Sequence, residues 1–208
     1  MLVSYNWLKQ YTNVEDNATD LAEKITRGGI EIEGVDYLAE ELSNVVIGYV
    51  ESKEKHPDAE KLSVCQVNIG EEENLQIVCG APNVDAGQYV IVAKVGAKLP
   101  GIKIKKAKLR GVESQGMICS LKELGLNQSV IPKNYQEGIY IFGEKQELGA
   151  DVSEVLGLND YILDLSITPN RADALSMRGL SYELGALYNN KVDFKDVEKE
   201  ENYEATSL

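Results

Sequence analysis

The sequence predicts an α+β discontinuous domain, assembled from the two ends of the chain, with an all-β barrel inserted into it. Three observations carry this. Between Ser43 and about Ile141, short runs of alternating apolar and polar residues recur with turn residues between them, the spacing of a sandwich or barrel. The first 40 residues hold two helix patterns but one strand, and a lone strand needs a pairing partner. The stretch from 150 to 190 holds another strand and another helix pattern. The expected boundaries are therefore 1–40 with 150–190 for the α+β domain and 41–149 for the barrel. Residues 191–208, acidic and poor in large apolar side chains, read as a linker or tail.

Taken in order, Ser4 caps a short helix carrying Trp7, Leu8 and Tyr11, and Asn17 with Asp20 forms a capping pair for a second. Leu21, Ala22 and Ile25 share a face of that helix. Gly28-Gly29 stops it, and Ile30 to Val35 reads as a strand. In the barrel region, Val45 to Glu51 is a strand running on toward Lys55. In the next, Leu62 to Ile69, the apolar register shifts near Gln66, which predicts a bulge in that strand. Leu75 to Cys79, Tyr89 to Ala93 and a ribbon from Ile102 to Leu109 follow, with turns at Gly80 to Asn83 and at Pro100-Gly101. The apolar register of the ribbon flips between Lys105 and Lys106, predicting one apolar face and one cationic face. Ser120-Leu121-Lys122-Glu123 reads as the capping box of a short helix ended by Gly125, and Gly138 to Phe142 as the last barrel strand. Beyond lie a helical turn at Asp151 to Leu156 and a strand at Tyr161 to Ile167. Thr168 to Asp173 then leads, with Asn170 or Asp173 as cap, into a helix carrying Met177, Leu180, Leu184, Leu187 and Tyr188.

With 208 residues, 43% apolar and 26% charged, the composition is that of a globular protein, and no apolar run approaches the roughly 20 residues that cross a bilayer. The opening lacks a basic segment followed by an apolar one, so a cytoplasmic location is expected. Cys65, Cys79 and Cys119 are far apart, without a Cys-x-x-Cys pair, and read as buried reduced thiols. His56 is the single histidine, which leaves no His-rich metal site. A net charge of −13 argues against nucleic acid until its distribution is considered. Lys94, Lys98, Lys103, Lys105, Lys106, Lys108 and Arg110 fall within 17 residues that contain no acidic side chain. Lysines guard sheet edges, which is the plainer reading, but this density exceeds what edge protection needs and favours a functional surface.

At His56 to Leu62, Cys79-Gly80-Ala81-Pro82-Asn83-Val84, Val95-Gly96-Ala97 and Leu109 to Ser120, the chain resembles the tRNA-binding module of several synthetases, an oligonucleotide-binding (OB-fold) barrel. Met1 to Leu8 and Ile167 to Asp173, flanking that module, resemble the N-terminal part of the β subunit of bacterial phenylalanyl-tRNA synthetase. The resemblance implies an α2β2 enzyme that attaches phenylalanine to its tRNA with ATP and magnesium. It also implies that the catalytic and editing sites, with their ATP and Mg2+, lie elsewhere, this stretch holding no cofactor and serving as a tRNA-binding region with the α subunit as partner. No membrane and no DNA are expected as partners.

The candidate tRNA-binding residues are the seven cations with His56, Asp58, Lys61, Asn83, Ser114, Met117 and Ser120. For His56, Asp58 and Lys61, turn chemistry is the reading from composition alone, and the resemblance moves them to the rim of the RNA surface. Met117 equally fits a core position and Ser120 a helix cap. Thr168 to Asp173 reads as structural rather than as a catalytic Arg–Asp pair. Two other classes stay open: a structural or subunit-assembly module with little tRNA binding of its own, and a stand-alone tRNA-binding protein. No nucleophile or carboxylate pair stands at the spacing an independent enzyme would need.

Overall fold

The computed structural model describes residues 1–194, so most of the expected tail lies outside the described residues. In chain order the elements are β1 (Leu2–Ser4), α1 (Tyr5–Leu8), α2 (Ala18–Arg27), β2 (Glu31–Tyr37), β3 (Ser43–Lys55), β4 (Ser63–Asn68), β5 (Leu75–Cys79), β6 (Tyr89–Leu99), β7 (Ile102–Lys103), β8 (Ala107–Leu109), β9 (Val112–Ser114), β10 (Gly116–Cys119), β11 (Ile141–Phe142), α3 (Val152–Val155), β12 (Tyr161–Ser166) and α4 (Met177–Tyr188). Met1–Tyr37 with residues 160–194 forms one compact unit, and Leu38–Asn159 forms the other.

In the first unit an antiparallel sheet runs in the order β1-β12-β2, so its central strand comes from the later segment. Alternation along β12 turns Leu163 and Leu165 inward, where they meet Leu21 and Ile25 of α2 and Leu180 and Leu184 of α4. The caps form as the sequence indicates: Ser4 Oγ accepts from Trp7 N, and Asn17 Oδ1 from Asp20 N, each at 3.0 Å. Strand β1 had no counterpart in the sequence reading, because three residues are too few to show a period. Its Val3 pairs with Leu163. The cap of α4 is Ser176, whose Oγ accepts from Gly179 N at 3.0 Å, rather than Asn170 or Asp173. Those two lie in a 3-10 turn, Pro169–Ala174, where Arg171 reaches Asp173 at 3.1 Å and Glu183 at 2.7 Å. Of the expected tail, Phe194 packs against Tyr11 and Tyr182.

The second unit is a curled antiparallel sheet, compatible with an OB-like fold, in the order β10-β6-β3-β4-β5, with β7 and β11 also on β6. Both faces of β6 are covered: Ile91 and Ala93 enter one apolar cluster, Val90 and Val92 another. That is why Tyr89 to Ala93 is almost continuously apolar. Between β5 and the chain at 113–115 the curl closes mainly through side chains. Gln115 N donates to Gln76 O at 2.8 Å, Gln76 Nε2 to Glu113 O at 2.8 Å, and Val78 N to Ser114 Oγ at 3.0 Å.

Four expectations are corrected here. The bulge opposite Gln66 sits on β3, since Val50 pairs with Val67 and Ser52 with Gln66, leaving Glu51 as the extra residue. The ribbon from Ile102 to Leu109 is two pieces: β7 folds back on β6, β8 pairs with β9, and Ile104 between them is buried. Its expected apolar face therefore does not form, and Ile102 and Leu109 are 51% and 41% exposed. The Ser120–Glu123 box makes both reciprocal bonds, but Gly125 ends it after one turn, so it frames a turn rather than a helix. Residues 149–152 are tied to β3 by Gly149 N to Ile47 O and Ile47 N to Ala150 O, at 2.9 and 3.0 Å, and Val152 is buried in the apolar cluster that holds Ile47 and Ile91, so this stretch belongs to the curled sheet's unit rather than to the first.

Candidate nucleic-acid interface

Two connections of the curled sheet carry most of the residues the sequence singles out. One, from His56 to Leu62, joins β3 to β4. The other passes from β7 through the β8–β9 hairpin to β10. The hairpin turns through Arg110 and Gly111, both with positive φ (46° and 86°), as a two-residue type I′ turn requires. Gly111 adopts this freely, whereas Arg110 does so against the preference of its side chain.

The two connections are fastened together. His56 is 5% exposed, and its Nδ1 accepts from Asp58 N at 3.1 Å. A backbone N–H can only donate, so the imidazole proton sits on Nε2, which donates to the Leu109 carbonyl at 3.0 Å. Arg110 Nη1 donates to the Asp58 carbonyl at 3.2 Å. Lys55, Lys61 and Arg110 then border one cavity of about 820 Å³ with Asp58 and Glu60.

The cations divide into two sets. Lys94 is half-buried and pairs with Glu71 at 3.1 Å; Lys106 pairs with Glu113 at 2.7 Å, a contact that holds the Glu113 carboxyl below the usual range. Among the described residues, Lys61, Lys98, Lys103, Lys105, Lys108 and Arg110 form no ion pair. Lys98 and Lys103 are moreover direct cross-strand partners in the β6–β7 ladder. Like charges so placed repel, and a bound anion relieves the repulsion. Lys103 and Lys105 border a groove of about 450 Å³ with Met117.

Other candidates are engaged in hydrogen bonds within the protein. His56 is a fastener and not an exposed rim residue. Ser114 is 3% exposed, its Oγ accepting from Val78 N and donating to Gly116 O at 2.9 Å. Asn83 bonds Ile139 through both ends of its amide, at 2.9 and 3.0 Å. Ser120 is engaged with Glu123, at 2.6 Å through N and 2.8 Å through Oγ. Sequence reasoning missed the acidic partners Glu71 and Glu113, because each lies outside the basic run. Burial pushes the Cys65 thiol up to about 11 and that of Cys119 to about 12, so neither is poised as a nucleophile. Among the described residues no group of three His, Cys, Asp or Glu is placed to hold a metal ion, and no helix is long and apolar enough to cross a membrane.

The family model of the tRNA binding domain matches residues 45–140. Over 193 residues the chain is 59% identical to the phenylalanine–tRNA ligase beta subunit of Staphylococcus aureus (strain Mu50 / ATCC 700699), which covers 92% of this chain and 24% of that protein. The corresponding protein of strain MSSA476 is 56% identical over 202 residues, 97% of this chain and 25% of its own. The chain thus spans about a quarter of the length of these curated relatives. Among solved structures, the C-terminal domain of Plasmodium vivax p43 is similar over 38% of this chain and 46% of its own, with 33% identity and a TM-score of 0.32.

Proposed function

We propose that this chain is part of a phenylalanine–tRNA ligase beta subunit, and that its Leu38–Asn159 unit is an OB-fold barrel that docks tRNA. The barrel is inserted into a discontinuous α+β domain made by the flanking segments. In OB folds the loop between the first two strands and the loop between the last two hold oligonucleotides. Here these are the His56–Leu62 connection, in which Lys61 stands beside Asp58 and Glu60, and the 100–115 connection, which is strongly cationic.

The observation that carries the reading is the unpaired set on and beside the second connection: Lys98 of β6 facing Lys103, with Lys105, Lys108 and Arg110 beyond, in a chain of net charge −13. Opposed lysines cost stability unless a polyanion neutralises them, and each phosphate so engaged releases counterions. The mode is docking on the backbone and shape of a folded RNA. Tyr49 and Tyr89, half-buried and packed on each other at 5.0 Å between centroids, are not free to act as stacking platforms for a single strand. His56 fixes the first connection to the second and so positions Arg110 and Lys61. We assign this stretch a supporting role in a cytoplasmic αβ enzyme that attaches phenylalanine to tRNA, with ATP and Mg2+ used elsewhere in that enzyme.

Titrating the 208-residue chain with tRNA, and with a duplex RNA of equal phosphate count, tests this. Tighter binding of tRNA, weakening steeply with salt, is expected. Equal binding of the two, or binding indifferent to salt, would overturn it.

A further inference from the structure

The groove bordered by Lys103 and Lys105 is not built like a phosphate site. Val78, Ile104, Leu109 and Met117 give it apolar walls, and Glu123 also lines it. A carboxylate repels phosphate, and apolar side chains offer phosphate nothing; both suit the flat face and amino edge of a base. Lysines bordering the same groove suit the phosphates on either side of such a base. Its volume of about 450 Å³ falls within the range of small-molecule sites.

We propose that this groove receives one unpaired nucleobase of the docked RNA, its flanking phosphates resting on Lys103 and Lys105. The inference rests on the tRNA-docking reading and adds a base-sized subsite to it. The base slides between Leu109, which is 41% exposed, and Met117, which is half-buried. Glu123 Oε2 is held by Ser120, and a carboxylate only accepts hydrogen bonds. The groove therefore favours a base bearing an exocyclic amino group, such as cytosine, over uracil. Ser114 takes no part, because its hydroxyl is spent on Val78 and Gly116.

The test uses the 208-residue chain and one RNA hairpin carrying a single bulged position that is cytidine, uridine or abasic, so that the phosphates are the same throughout. The cytidine form should bind about tenfold more tightly than the abasic form. Leu109→Ser, at an exposed side chain whose carbonyl still serves His56, should bring the cytidine form down to the abasic level. Lys103→Gln should weaken both forms by the same factor. Equal affinity of wild type for cytidine and abasic hairpins overturns the subsite while leaving tRNA docking intact. Uridine bound as tightly as cytidine overturns the role given to Glu123. Failure of every RNA, tRNA included, to bind overturns the docking reading itself.

Discussion

His56 holds the carbonyl of Leu109 through Nε2 at 3.0 Å, and with the Arg110–Asp58 bond this joins the β3–β4 connection to the hairpin that carries Arg110. His56→Ala would leave the Leu109 carbonyl and the Asp58 N–H without this partner. We expect a stability loss of about 1–3 kcal/mol in urea unfolding, because a buried polar group left unpaired keeps its desolvation cost. We also expect weaker tRNA binding under conditions where the variant is still folded. Undiminished binding by folded His56→Ala would show that the fastener does not position the cations.

Arg110 occupies a left-handed position that Asn adopts more readily. Arg110→Asn removes a cation and the bond to the Asp58 carbonyl, yet eases the turn. Stability should change by less than about 1 kcal/mol, the two effects opposing each other. The tRNA affinity should fall all the same. Parallel urea and binding curves check this separation.

Glu113 and Glu71 each hold one lysine of the basic run. Lys105→Ala should therefore weaken tRNA binding more than Lys106→Ala. Glu113→Gln, which releases Lys106 and removes a negative charge beside the hairpin, should strengthen it. Anisotropy titrations at one salt concentration rank the three variants, and the reverse order would contradict the division of the cations into paired and unpaired sets.

Burial keeps the thiols of Cys65 and Cys119 protonated to about 11 and about 12. An unfolded thiol ionises near 8.5, so between about 8.5 and 11 the unfolded state binds fewer protons than the folded one. Stability should fall as pH rises through that window. Urea midpoints at pH 7.5 and pH 9.5 give the direction. A maleimide should label these positions only once the chain unfolds, and rapid labelling of the native protein would refute their burial.

Much of the fold is legible from local chemistry. Ser4, Asn17 and Gly28-Gly29 mark helix ends because capping and chain reversal use neighbours in sequence. Alternation in Tyr161 to Ser166 gives the inward Leu163 and Leu165 for the same reason. What sequence did not disclose depends on distant partners. Glu51 becomes a bulge only because of the register against β4, and β1 exists only because β12 accepts it. At the site, the basic run was plain. That His56 faces inward and that Lys106 is already paired were not, since Leu109 lies 53 residues from His56 and Glu113 lies outside the run.

The central claim is that the unpaired lysines of the 100–115 connection carry the RNA. The triple variant Lys103→Glu, Lys105→Glu, Lys108→Glu, titrated with tRNA over a series of salt concentrations, tests it most directly. We expect a marked loss of affinity and a plot of log K against log salt whose slope is shallower by about 2–3, one counterion-releasing contact for each lysine. A folded triple variant with the affinity and slope of wild type would contradict the account.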